Sequence, residues 1–164
     1  MFWRLFRWLL AGAAGLVFSG CLLFTVEQRA THGPTAEEVW VYRFAATNGR
    51  APNFEEKLAF KEQLDRRMRE YLVRSPRAEG ADRRADLAFW FQASVGMTKE
   101  EVGLLLGEAD AMTTDPAAMG ALAGKFWPDL KPKVQEAWTY PEGWTFYFAG
   151  DVLVALTQYF RKIR

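Results

Sequence analysis

The sequence predicts an α+β protein in which a helical N-terminal portion precedes an antiparallel sheet of three strands. Two observations lead to this prediction. Capping boxes, with Thr followed three residues later by Glu, predict helices that begin after Thr35 and Thr98, and Asn53 can cap another. After residue 134, the period of the apolar residues changes from helical to alternating, which is typical of half-buried strands.

Residues 1–26 are predicted to be a signal peptide or a membrane anchor. Arg4 and Arg7 precede an uncharged, mainly apolar run over Trp8–Val26, which is the layout of an export signal. Because Cys21 follows a Ser-Gly pair, the segment also resembles the lipobox of a bacterial lipoprotein, in which this thiol is acylated. The run is also close to the ~20 residues that cross a membrane as a helix. A retained single span is therefore the main alternative, and an unmodified buried thiol is a third.

The charges beside this run predict how the chain is oriented. Two arginines precede it, whereas Glu27, Glu37 and Glu38 follow it. By the positive-inside rule, the N-terminus stays in the cytoplasm and the bulk of the chain lies on the periplasmic, extracytoplasmic side. Cys21 is the only cysteine, so no intramolecular disulfide can form and the core has to hold by packing.

The rest of the chain divides into three segments. Residues 27–34 contain Gly33-Pro34 and no apolar period, which predicts a linker. Residues 35–94 form the helical portion, with one helix ending near Asn48-Gly49 and a second ending at Ser75-Pro76. A third helix is predicted over residues 82–94.

Residues 95–164 are predicted to form an α+β domain. A short helix closes at Gly107, and Asp115-Pro116 begins another with a cap followed by proline at the first position. Three strands follow as an antiparallel meander with one buried face, the last two joined by a Gly150-Asp151 hairpin. Their predicted ranges are Val134 to Tyr140, Trp144 to Phe148 and Val152 to Phe160.

Three motifs stand out in the C-terminal half, namely Gly96-Met97-Thr98, Leu105-Leu106-Gly107 and Trp138-Thr139-Tyr140. Through these motifs, roughly residues 95–160 resemble the BamE family, also called the SmpA/OmlA-like domain. In that family a Gly-Met-Thr turn feeds a short helix ending in Leu-Leu-Gly, and a Trp-x-Tyr strand and two further strands follow. β-Lactamase inhibitor protein has a similar helix-helix-sheet unit. Ala109 stands where the family usually has proline, and residues 35–94 have no counterpart there. The residues that carry the resemblance are Gly96, Met97, Thr98, Glu101, Val102, Leu105, Leu106, Gly107, Trp138 and Tyr140.

The motifs of common catalytic sites are missing from the sequence. His32 is the only histidine, so neither a Ser-His-Asp triad nor a multi-histidine metal site can form. The carboxylate pairs Glu55-Glu56 and Glu100-Glu101 stand in first helical turns, where capping and the helix dipole explain them. We expect no catalytic, cofactor-binding or metal-binding residue and no small-molecule substrate.

The charge of the chain bears on its partners. A net charge of +1 gives no electrostatic field that favours nucleic acid, so we expect no nucleic-acid partner. A basic stretch is predicted to be a solvated helix face, with anionic headgroups or a partner protein as the alternative ligand. It comprises Arg66, Arg67, Arg69, Arg74, Arg77, Arg83 and Arg84.

These features predict a non-enzymatic, membrane-tethered scaffold or accessory protein of the cell envelope. The expected partners are the membrane, through the N-terminal segment, and other envelope proteins. The BamE resemblance implies a role in outer-membrane assembly. Two alternatives remain open, namely a single-span accessory subunit of an inner-membrane complex and an inhibitor-like module that binds a protein through its sheet.

Overall fold

A computed structural model describes residues 24–75 and 85–162. The protein is mixed helix and sheet, in agreement with the predicted α+β class. The main sheet is antiparallel, with five strands in the order β1-β7-β6-β5-β4, and β2 and β3 form a separate antiparallel pair. The strands are β1 Phe24–Ala30, β2 His32–Thr35, β3 Gln92–Ser94, β4 Ala111–Thr113, β5 Glu136–Tyr140, β6 Trp144–Ala149 and β7 Val152–Lys162.

Within the described residues, five α-helices accompany these strands. Their ranges are α1 Ala36–Asn48, α2 Phe54–Arg74, α3 Lys99–Leu106, α4 Pro116–Ala123 and α5 Trp127–Leu130. Capping boxes begin α1, α2 and α3 at Thr35, Asn53 and Thr98, as predicted, and Asp115 caps α4. Along the described ranges, none of the helices combines the length and the apolar character that a membrane crossing needs.

The predicted linker over residues 27–34 is wrong, because these residues form most of β1 and β2. β1 pairs along its whole length with β7, from Phe24 opposite Lys162 to Ala30 opposite Leu156. Local sequence signals miss such a strand, since the partner that satisfies its backbone groups lies at the other end of the chain. β1 also begins inside the predicted anchor of residues 1–26, whose remainder lies outside the described residues.

The predicted sheet of three strands is likewise too small. The meander β5-β6-β7 forms with the expected two-residue hairpin at Gly150-Asp151, and β1 and β4 extend it at either edge. The prediction of one buried face also needs correction. Both faces are covered, because residues 115–134 supply α4 and α5 as a second helical layer.

The third predicted helix, over 82–94, is only partly helical. Asp86–Trp90 forms a single π-helical turn, and Gln92–Ser94 is β3. Between them Phe91 adopts a left-handed conformation with φ 47° and ψ 42°, which ends the turn. A side chain other than glycine is uncommon there.

Two hydrophobic clusters hold the layers together. In the larger one, α1, α2 and α3 pack on Phe146, Phe148 and Leu156 of the sheet. In the smaller one, α4 and α5 pack on the opposite face around Tyr147 and Ala155. The helical portion and the C-terminal half therefore share a core, since the larger cluster contains residues of both.

Candidate functional site

The Gly-Met-Thr turn of the sequence motif is joined to the β6–β7 hairpin by backbone hydrogen bonds. The Gly96 amide donates to the Leu153 carbonyl at 2.8 Å, and the Leu153 amide donates to the Met97 carbonyl at 2.8 Å. Gly96 has φ 97°, a conformation that favours glycine. Met97 is fully buried and Thr98 forms a bridge with Val152. The turn therefore fixes where α3 begins over the sheet.

Glu101 of the motif is a fully buried carboxylate, with 0% of its surface exposed. One oxygen accepts the Thr98 amide at 2.7 Å and the other accepts the Tyr71 hydroxyl at 3.1 Å. Burial, and then the nearby Glu101 carboxylate, raise the pKa of Tyr71, which keeps this hydroxyl a donor. The carboxylate therefore ties α2 to the start of α3 and is closed to a substrate.

The end of α3 is held by a side chain of the helical portion. Arg43 of α1 donates to the Leu106 carbonyl at 2.8 Å and to the Glu108 carbonyl at 2.6 Å. The Tyr140 hydroxyl donates to the Gly107 carbonyl at 3.1 Å, and the Arg43 guanidinium lies over the Tyr140 ring. Burial raises the pKa of Tyr140 well above its ordinary value, although Arg43 opposes this shift. These donors satisfy carbonyls that a helix end leaves unpaired.

The remaining motif residues belong to the core or its edge. Val102, Leu105 and Leu106 are buried on one side of α3. Trp138 packs on Phe148 and donates to Glu136 at 2.5 Å. Burial raises the pKa of Glu136, but its hydrogen bonds with Lys99 and Trp138 outweigh this and lower the pKa overall. The ten motif residues thus come together as a structural unit.

Two other sequence candidates lie elsewhere. Cys21, the predicted lipidation site, is outside the described residues. His32 is exposed, with Nε2 3.9 Å from an Asp86 carboxylate oxygen and Nδ1 3.1 Å from the Thr31 hydroxyl. Within residues 24–75 and 85–162, His, Cys, Asp and Glu form no group of three that could hold a metal ion.

An exposed apolar surface on α1 is not among the features predicted from the sequence. Val41, Tyr42, Ala45 and Ala46 line an open cavity of about 750 Å³ on the outer side of this helix, and Tyr42 is 49% exposed. The sequence does contain a signal for this surface, because seven of the eight residues from position 39 to position 46 are apolar, more than one buried helix face requires.

No family model, no curated protein and no solved structure matches this chain. The resemblance to the BamE family therefore stays a prediction from the motif residues of the sequence.

Proposed function

We propose that this protein is a non-enzymatic, membrane-tethered accessory protein of the cell envelope that holds other proteins close to the membrane. One observation carries the proposal. The apolar N-terminal run leads directly into β1, which begins at Phe24, three residues after Cys21. β1 in turn pairs with β7 along its whole length. Only Leu22 and Leu23 separate Cys21 from β1 in the sequence, and at ~3.3–3.6 Å per residue this short distance keeps the domain near the bilayer.

The chemistry of the described motif residues supports a scaffold role. The buried carboxylate of Glu101 and the buried hydroxyl of Tyr140 each bond to a helix end. Such groups position elements of the fold, and their burial keeps them from a reacting molecule. The BamE resemblance adds outer-membrane assembly as the process in which the protein would act.

The alternatives differ in what they require. A single-span subunit of an inner-membrane complex rests on Leu22 and Leu23, which prolong the apolar run past Cys21. Because β1 begins at Phe24, only 16 residues of that run, 8–23, precede the sheet, against the ~20 of a membrane-crossing helix, which favours the lipid tether. An inhibitor-like module that docks through its sheet needs an open sheet face. The described helices cover both faces, which favours the first two hypotheses over this one.

The tether is tested by labelling the full chain in bacteria with an alkyne fatty acid, with and without globomycin. We expect label on the chain, its loss in Cys21→Ser, and accumulation of the unprocessed form with globomycin. An intact N-terminus from Met1 through Cys21, found by mass spectrometry in the membrane fraction, would support the single-span alternative. Release of the unlabelled chain by a carbonate wash would contradict both membrane hypotheses.

The accessory role is tested by purifying the full chain from native membranes in a mild detergent. We expect a defined set of envelope proteins to copurify in fixed ratios and to remain with the chain through a second, orthogonal purification. Recovery of the chain alone, at native abundance and after chemical cross-linking, would contradict an accessory role.

A further inference from the structure

We propose that the outer face of α1 binds a basic, amphipathic helix of a partner protein. This inference rests on the proposed accessory function, whose partner it describes by its chemistry. The surface consists of the α1 cavity, defined by Val41, Tyr42, Ala45 and Ala46, and of an adjacent aromatic pair, Phe89 and Trp90.

The first argument is that α1 is apolar on both its inner and its outer side. On the inner side Ala36 and Val39 are buried, and the Trp40 ring stacks on Phe60 of α2 with centroids 4.5 Å apart. On the outer side Val41 and Tyr42 line the cavity. A surface helix normally has a polar outer face, but on α1 the polar residues that line the cavity are confined to the first turn, at Glu37 and Glu38. The outer side of α1 is therefore built like an interface.

The cavity has the dimensions of a helix-binding groove. Its lining runs along α1 from Thr35 to Ala46, and at 1.5 Å per residue this distance is about 16 Å, or three helical turns. The small side chains of Ala45 and Ala46 allow another helix to approach to the ~8–10 Å separation of packed helices. A partner helix of three to four turns therefore fits along α1.

The aromatic pair continues this groove at the N-terminal end of α1. A smaller cavity of about 170 Å³ is lined by Phe89 and Trp90 and shares Thr35 and Glu37 with the larger one. Phe89 is 77% exposed and Trp90 is 67% exposed. Exposed aromatic anchors of this kind dominate the binding energy of many protein interfaces.

The backbone holds this pair in place. The left-handed conformation of Phe91 ends the π-helical turn, and its carbonyl accepts the Ala36 amide at 2.8 Å. Such a conformation is strained for a residue other than glycine and persists only where the surroundings determine it. The turn that presents Phe89 and Trp90 is thus bonded to the first residue of α1.

Charge selects the partner. Among the described residues, the larger cavity is lined by the carboxylates of Glu37, Glu38 and Glu142 and by Lys57, which pairs with Glu37 at 3.1 Å. The smaller cavity adds the cation of Lys61, so three carboxylates face two cations over the whole surface. This acidic excess attracts a helix with Lys or Arg beside its apolar stripe. A second copy of the chain would bring the same carboxylates together, and an anionic bilayer would be repelled. A basic partner helix is the occupant that satisfies both the apolar floor and the acidic rim.

The first test measures binding of two synthetic peptides to the full chain in zwitterionic nanodiscs, with empty nanodiscs as background. Both peptides are 14-residue amphipathic helices, one made of Leu and Lys and the other of Leu and Glu. We expect the Lys peptide to bind about tenfold or more tightly than the Glu peptide, which corresponds to ~1.4 kcal/mol. Equal affinities, or preference for the Glu peptide, would overturn the proposal.

A matched pair of variants locates the binding. Ala46→Arg places a bulky cation in the groove, whereas Thr47→Arg places the same side chain on the next exposed residue, which does not line the cavity. We expect Ala46→Arg to weaken Lys-peptide binding about tenfold and Thr47→Arg to change it less than about twofold. Equal effects of the two variants would show that the peptide binds elsewhere.

The second test identifies the natural occupant. A benzoylphenylalanine photo-cross-linker replaces Tyr42 in the full chain in cells, and the same group at Thr47 is the control. The proposal expects a cross-linked segment with basic residues and apolar residues at helical spacing. A lipid adduct, a second copy of this chain, an acidic segment, or no product beyond the Thr47 control would each overturn it. Fatty-acid labelling of Cys21 does not depend on these outcomes. The experiments therefore distinguish a failure of the helix-binding proposal for α1 from a failure of the proposed membrane tether.

Discussion

Helices α1 and α3 begin with the same Thr-x-x-Glu capping box, yet the two boxes stand in opposite surroundings. In both, the Thr amide donates to the Glu carboxylate at 2.7 Å and the Glu amide donates to the Thr hydroxyl at 3.2 Å. Glu38 of α1 is exposed, whereas Glu101 of α3 is completely buried. Identical local bonds thus serve a solvated helix end in one case and the core in the other.

The burial of one capping box and the exposure of the other indicate different roles for α1 and α3. The buried box of α3 also receives the Tyr71 hydroxyl, so its loss would leave donors without partners inside the protein. The exposed box of α1 can exchange its bonds for water. α3 therefore stabilises the fold, while α1 is free to carry a binding surface on its outer side.

The largest effect is expected from Glu101→Ala. This change removes the acceptor of both the Thr98 amide and the Tyr71 hydroxyl and leaves a cavity. At ~1–3 kcal/mol for each unsatisfied buried donor, the free energy of unfolding should fall by about 4 kcal/mol, measured by urea denaturation. Glu38→Ala is the matched control in the exposed box. Losses of equal size in the two variants would contradict the distinction between the boxes.

The next effect is expected from Tyr71→Phe, which removes one donor to the buried carboxylate and keeps the ring in the core. A hydrogen bond to a charged group contributes ~1.5–3 kcal/mol, so we expect a loss of about 2 kcal/mol in the same denaturation experiment. Tyr42→Phe, on the exposed face of α1, should change stability by less than about 0.5 kcal/mol. If Tyr71→Phe left the free energy of unfolding unchanged, the Glu101 carboxylate would be stabilised without this hydroxyl, contrary to the prediction.

A smaller loss is expected from Thr35→Ala, which removes the N-cap of α1. Exposed caps contribute ~1 kcal/mol, and the freed amides remain accessible to water. Thr98→Ala in the buried box should cost more, because its Glu101 amide partner is only partly exposed to water. Thermal or urea unfolding measures the loss of stability in each variant. A larger loss in Thr35→Ala than in Thr98→Ala would contradict the distinction between the exposed and the buried box.

The smallest expected effect is a change in the pH dependence of stability, caused by Glu56 in the capping box of α2. A hydrogen bond from Arg50, then one from the Asn53 amide, lower the pKa of Glu56 from 4.5 to about 2. Because the unfolded chain takes up this proton first, Glu56 favours folding above pH 4.5 and loses this effect as the pH falls towards 2. Glu56→Gln should therefore flatten the acid limb of a stability-against-pH curve slightly. Curves of identical shape for the two proteins would contradict it.

The sequence allowed prediction of those elements whose signals are local. The caps at Thr35 and Thr98 and the turn at Gly150-Asp151 each act within a few residues, and the structure has them where expected. β1 was missed because its pairing is remote, as when Gln28 bonds to Gln158, 130 residues away. The burial of Glu101 was missed because a capping glutamate is normally solvated. The apolar run of α1 is visible in the sequence, but the sequence does not show which of its residues the fold buries. Only the structure shows that the other described elements leave the outer face of α1 uncovered.

The pairing of β1 with β7 also sets an order of events during synthesis. β1 leaves the ribosome early, but its partner strand is the last described element of the chain. At ~5–20 residues per second, on the order of ten seconds pass before β7 exists. During that time β1 presents unpaired backbone groups that another chain can occupy. Chains that stop before β7 keep this strand uncovered, so incomplete molecules differ from finished ones at a position that a protease or chaperone can detect.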